Sequence, residues 1–167
     1  MNRFTTTTES EAVVAAERAA IWAVLTDPAL LPRLTPLLTG IDTHGDHWRW
    51  SMMRLAVLGV GIQPTFTERM RFADGSEESR IDFTHEPPPD VHEFTGADGW
   101  YRLREAAAGT HLAIRLTLHV ELPLSRLASP AVVGLMNVTL QRTGDRFVTN
   151  LLHHLDADEV PGSRVTR

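Results

Sequence analysis

The chain has 167 residues, a formal net charge of −5, 43% hydrophobic and 22% charged residues, and no cysteine. That length suits one domain able to bury roughly 70% of its unfolded surface, and the composition is that of an ordinary globular protein. Scattered Arg residues give no concentrated positive field for a nucleic acid, and without cysteine there are no disulfides, Cys-ligated metals or thiol nucleophiles.

The opening segment MNRFTTTTES has no apolar core behind its Arg, so it does not read as a secretory signal. The longest apolar run, Leu55–Ile62, is far short of the ~20 residues that cross a bilayer, and a cytoplasmic protein is expected. Arg3 to Ala15, rich in Thr and Val, predicts a first strand. A short helix follows from about Arg18 to Thr26, with Ile21, Trp22 and Leu25 on one side.

The next stretch, DPALLPRLTPLLTG, is apolar enough for a helix yet carries Pro28, Pro32 and Pro36, each of which breaks a helix interior. Asp27 as N-cap and Pro28 at the first helical position restart a second short helix at a new angle. From Ile41 to Leu122, extended segments alternate with the turn signals HGD, LGVG, ADGS, EPPPD and AAGT, the punctuation of an antiparallel sheet.

In HLAIRLTLHVEL every second residue from Leu112 to Leu122 is aliphatic, so one face is covered and the other wet. PTFTERMRF places Phe66, Met70 and Phe72 inward, and HWRWSMMR groups Trp48, Trp50 and Met52. After Ser129 as N-cap and Pro130, a helix of about 39 Å runs to about Leu155. Its stripe is Val133, Met136, Leu140, Gly144, Phe147, Leu151 and Leu155, with Asn137, Gln141, Asp145, Arg146 and Thr149 opposite. The domain is expected to span residues 1–156, and residues 157–167 to form a flexible tail.

This order, together with the strand-to-helix segment VVAAERAAIWAVLTDPALLPRLTP, the hairpin GWYRL…AGTHLAI and the closing helix, resembles the START-like superfamily. That superfamily includes polyketide cyclase/dehydrase and lipid-transport proteins and a group of accessory proteins of carbon monoxide dehydrogenase. The resemblance implies an α+β helix-grip fold: an antiparallel sheet of about seven strands wrapped on a long C-terminal helix, with two short helices forming a bent clasp over a cavity. It carries no catalytic set of its own.

The interior so formed would be lined by Trp50, Met52, Phe66, Met70, Ile81, Phe83, Tyr101, Leu116, Met136, Leu140 and Phe147, either as a solid core or as the wall of an apolar pocket. Glu68 falls inward between Phe66 and Met70. One account pairs it with Arg54 across the hairpin; the other makes it a polar anchor or general acid/base with a raised pKa. Arg54, Tyr101 and His85 are the accompanying candidates. Gly144 leaves volume for a ligand, or allows close packing or a bend. The turn VLGVGI is a lid, a membrane contact or core.

No metal-ligand spacing, phosphate loop or nucleophile elbow is present, and neither metal nor cofactor is expected. The expected function is binding or transport of a hydrophobic small molecule such as a lipid, isoprenoid or polyketide, by a monomer or homodimer. The alternatives are an aromatase/cyclase-type enzyme and an accessory protein that docks on an oxidoreductase.

Overall fold

The computed structural model describes residues 1–167. Strand β1 (Asn2–Val14) leads into helix α1 (Arg18–Leu25) and the single turn α2 (Leu31–Leu34). Asp27 Oδ1 accepts the N–H groups of Ala29 and Leu30 at 2.9 and 3.1 Å, closing a turn at residues 28–30, and the helix itself starts three residues later than expected, at Leu31, with Leu30 in the N-cap position. The prolines hold the restarted helix to four residues, and α2 turns toward the C-terminal helix instead of extending α1.

Strands β2 (Leu38–His44), β3 (His47–Met52), β6 (Thr65–Asp74), β7 (Glu78–His85), β8 (Thr95–Ala106) and β9 (Gly109–Leu122) complete the antiparallel meander against β1. The strand order is β10-β1-β9-β8-β7-β6-β3-β2. Between β3 and β6, the short strands β4 (Leu55–Val57) and β5 (Val60–Ile62) form a hairpin separate from the main sheet. After a turn of 3₁₀ helix at Arg126–Ala128, α3 (Ser129–Leu155) runs for 27 residues.

Seven main-sheet strands come from the body of the domain, as expected. The eighth, β10 (Val165–Thr166), comes from the tail, whose polar composition alone suggests flexibility. Ala15 N–H donates to Asp158 O and Val160 N–H to Val13 O, both at 2.8 Å, and Arg167 exchanges backbone hydrogen bonds with Glu9. The outer edge of β1 would otherwise present unpaired N–H and C=O groups, and the tail satisfies part of it.

α3 approaches β1, α1 and α2 closely. Asn150 Nδ2 donates to Leu34 O at 2.8 Å, tying it to the clasp. Asn137, expected on the wet face, is half-buried and hydrogen-bonds Thr6 of β1. Gly144, expected on the buried stripe, is exposed, and a Cβ built there meets nothing within 4 Å. Phe72 lies at the sheet margin against Trp22 and Trp48, 43% exposed.

Candidate functional site

The face of the sheet beneath α3 is built by strand alternation. Register pairs Trp50 with Phe66, Trp48 with Glu68, Met70 with Phe83, and Ile81 with Tyr101. Trp50 stacks on Phe66 at 6.5 Å between ring centroids, and Phe83 meets Tyr101 at 5.7 Å.

Phe66, Met70, Phe83 and Phe147 are buried in one apolar cluster, with Trp50, Met52, Tyr101 and Leu116 half-buried against it. A second cluster gathers Phe4, Val57, Val120, Leu122 and Val132, with Met136 beside them. The expected lining residues therefore do share one interior, except that Met136 belongs to the second cluster and Leu140 to neither.

The two clusters do not merge. Between Val132 and Phe147, roughly 22 Å of helix at 1.5 Å per residue, no residue of α3 is buried. The inward positions Met136, Leu140 and Thr143 are only half-buried, as are Trp50, Tyr101, Ile114, Leu116 and Leu118 on the sheet. Tyr101 lies deep enough that burial pushes its phenol pKa well up, yet it keeps free surface. A packed core would leave none of these large side chains uncovered.

Glu68 points into this interior and is 3% exposed. Burial, reinforced by the negative charge of Asp98, raises its pKa well above the ordinary carboxyl value. The indole N–H of Trp50 lies beside it and opposes that shift slightly, without completing a hydrogen bond. A charge on Glu68 would in turn act on the Tyr101 phenol.

Arg54 is not its partner. The β3–β6 ladder ends at Ser51 and Thr65, and the chain leaves the sheet before Arg54, which is exposed and lies over Gly61 of the β4–β5 hairpin. The inward phase of β3 stops before it reaches Arg54.

His85 is placed elsewhere than the pocket wall. Its backbone N–H donates to Asp98 Oδ1 at 3.0 Å, and its Nε2 lies 3.0 Å from Glu93 Oε2. Glu93 also accepts from Thr67 N and Oγ1 at 2.7 and 2.8 Å, which pins the β7–β8 loop onto β6. The His85 ring meets that of His119 at 4.8 Å. Burial, with the charges of Arg3 and His85, lowers the His119 pKa.

Sequence reasoning missed Glu93 and Asp98: a loop carboxylate has no periodicity to reveal burial, and Asp98 falls in the outward phase of β8. Beside this loop is a cleft of about 490 Å³ lined by Val60, Ile62, Pro64, Phe94, Val120 and Leu122 among others, none of them an expected lining residue. His, Asp and Glu form no group of three that could hold a metal ion.

Residues 5–156 match the model of a family described as polyketide cyclase/dehydrase and lipid transport. The chain belongs to that family. Among solved structures, human StAR-related lipid transfer protein 5 is 13% identical, covers 89% of this chain and 74% of its own, and superposes with a TM-score of 0.70. The Zhui aromatase/cyclase from Streptomyces sp. R1128 is 14% identical over 91% of this chain and 94% of its own, with a TM-score of 0.59. A START superfamily protein from Mycobacterium smegmatis is 17% identical over 92% and 97%, with a TM-score of 0.57.

At these identities the likeness is one of fold, and it confirms the helix grip. The resemblance to carbon monoxide dehydrogenase accessory proteins is not carried by these matches. No curated protein sequence matches the chain at a significant level. No helix of this family member is long and apolar enough to cross a membrane.

Proposed function

We propose that the chain binds a hydrophobic small molecule, of the lipid, isoprenoid or polyketide kind, between the sheet and the middle of α3. The observation that carries this reading is the break in the core: large apolar side chains face each other there and stay half-uncovered. Ligand pockets are mainly apolar with a few placed polar groups, and Glu68, Trp50 and Tyr101 are such groups. The human relative's name, a lipid transfer protein, is consistent with a carrier. We place the protein in the cytoplasm, acting as a monomer or homodimer, with no nucleic-acid partner.

A second reading, an aromatase/cyclase, rests on Glu68 itself. A buried carboxyl with no cation beside it and a raised pKa is suited to move a proton on a bound reactive chain, and the Streptomyces relative is named an aromatase/cyclase. Native mass spectrometry of protein purified from its own host, with an organic extract of the same sample, tests the first reading. An apolar molecule released on denaturation is the expected result. Protein that is empty from the host and also binds no apolar probe in vitro would overturn it. Turnover of the extracted molecule by the protein, lost in Glu68→Gln, would decide for the second reading.

A further inference from the structure

The polar groups that reach the apolar interior have one character in common. Trp50 Nε1 is a donor only, buried and without a partner. The Tyr101 hydroxyl forms no hydrogen bond to any protein group, although the ring is held by Phe83 and its strand neighbours. Glu68 is more than nine-tenths buried, has no cation beside it, and lies next to the indole N–H and within electrostatic reach of the phenol.

The charged and titratable groups around Glu68 are Asp98 and Tyr101 of β8 and His85, its register partner on β7, while β3 contributes only Trp48 and Trp50. No Lys or Arg enters the set. With Asp98 nearby, an added negative charge is opposed, and burial raises the Glu68 pKa, which favours the protonated form, in which the carboxyl is a third donor.

We infer that this site selects a ligand whose apolar body carries an uncharged acceptor oxygen, a ketone, ester or lactone carbonyl, seated among Trp50, Glu68 and Tyr101, and that it rejects carboxylates. The inference rests on the binding reading above and adds the ligand's chemical class. Unmade hydrogen bonds inside a protein are costly, so a carbonyl that satisfies these donors gains over a hydrocarbon of the same shape. A fatty-acid anion would meet the Glu68 carboxyl, with the charge of Asp98 within electrostatic reach, and no counter-charge.

Four probes of one size separate the possibilities: ethylnaphthalene, acetylnaphthalene, naphthoate and naphthylmethylammonium, titrated against the full chain by calorimetry at neutral pH. Acetylnaphthalene should bind about tenfold more tightly than ethylnaphthalene, the size of one well-made buried hydrogen bond, and both charged probes more weakly than either. Glu68→Leu, Trp50→Phe and Tyr101→Phe should each narrow the gap between ketone and hydrocarbon. Glu68→Gln, whose amide still donates, should keep most of it.

Equal affinity for ketone and hydrocarbon would overturn the donor-site inference and leave the apolar-binding reading standing. Naphthoate binding most tightly would overturn it too, as would the ammonium probe, which would require Glu68 to be ionised. Binding of none of the four would overturn both. Any variant that fails to fold is set aside by its circular dichroism, and the wild-type ranking of the four probes still decides.

Discussion

Glu68 sets the behaviour of the interior through its proton. A carboxyl whose pKa is raised on folding binds its proton more tightly in the folded than in the unfolded chain. Its contribution to stability is therefore complete below the ordinary value of 4.5 and is lost as the pH climbs from there through the raised value. Glu68→Gln keeps the neutral shape without that loss, so its stability should gain on wild type as pH rises above 4.5 and hold a constant offset below it. Urea unfolding across the pH range measures this, and an offset constant throughout would mean that the carboxyl is solvated. A second measurement concerns the partner that strand phase suggests. With Arg54 exposed over Gly61, Glu68→Leu and Arg54→Met should be additive within about 0.5 kcal/mol in a double-mutant cycle, where a buried pair would show coupling of several kcal/mol. The inward phase of Glu68 was legible because alternation on β6 is unbroken from Phe66 to Met70. Its surroundings were not, because the end of a ladder and the position of Asp98 depend on the neighbouring strands.

At the scale of elements, the break in the proline-rich stretch was legible, although the second helix begins at Leu31 and not at Pro28. Asp27 accepts two backbone N–H groups, and the short α2 reaches the Asn150 side chain on α3, so the bend serves to join the clasp to the long helix. The phase of α3 was harder to read, since Asn137 and Gly144 both lie a fraction of a turn from where the apolar stripe put them. Gly144 is solvent-facing with open space around a built Cβ, so Gly144→Ala should raise stability by about 0.5–1 kcal/mol, the helix-interior cost of glycine. Gly99 is the opposite case: a Cβ there would collide with the Arg115 carbonyl oxygen and stand 2.6 Å from the Phe83 ring. Gly99→Ala should cost about 1–3 kcal/mol through overpacking. Thermal melts of the two variants, side by side, check both signs; a stabilising Gly99→Ala would mean that β8 and β9 are not held as described.

For the whole molecule, the grip leaves its two apolar clusters joined by a stretch of α3 that covers the sheet without sealing against it. Leu140 sits in that stretch, one turn from Met136 and two from Phe147 on the same face, half-buried and in neither cluster. The consequence of enlarging it depends on whether space lies beneath the helix. Leu140→Phe in a filled core would force neighbours off their rotamers and cost about 1–3 kcal/mol. Over an open interior the added ring finds Leu116, Tyr101 and Trp50 still partly uncovered, and filling the space should stabilise by about 0.5–2 kcal/mol. The expected result is therefore a higher melting temperature for Leu140→Phe together with weaker uptake of an apolar probe such as ethylnaphthalene, because ring and ligand compete for one volume. Loss of stability with unchanged uptake would place the ligand outside the grip. The rim cleft walled by Val60, Ile62 and Phe94 would then be the next site to block, and Ile62→Trp the substitution that blocks it.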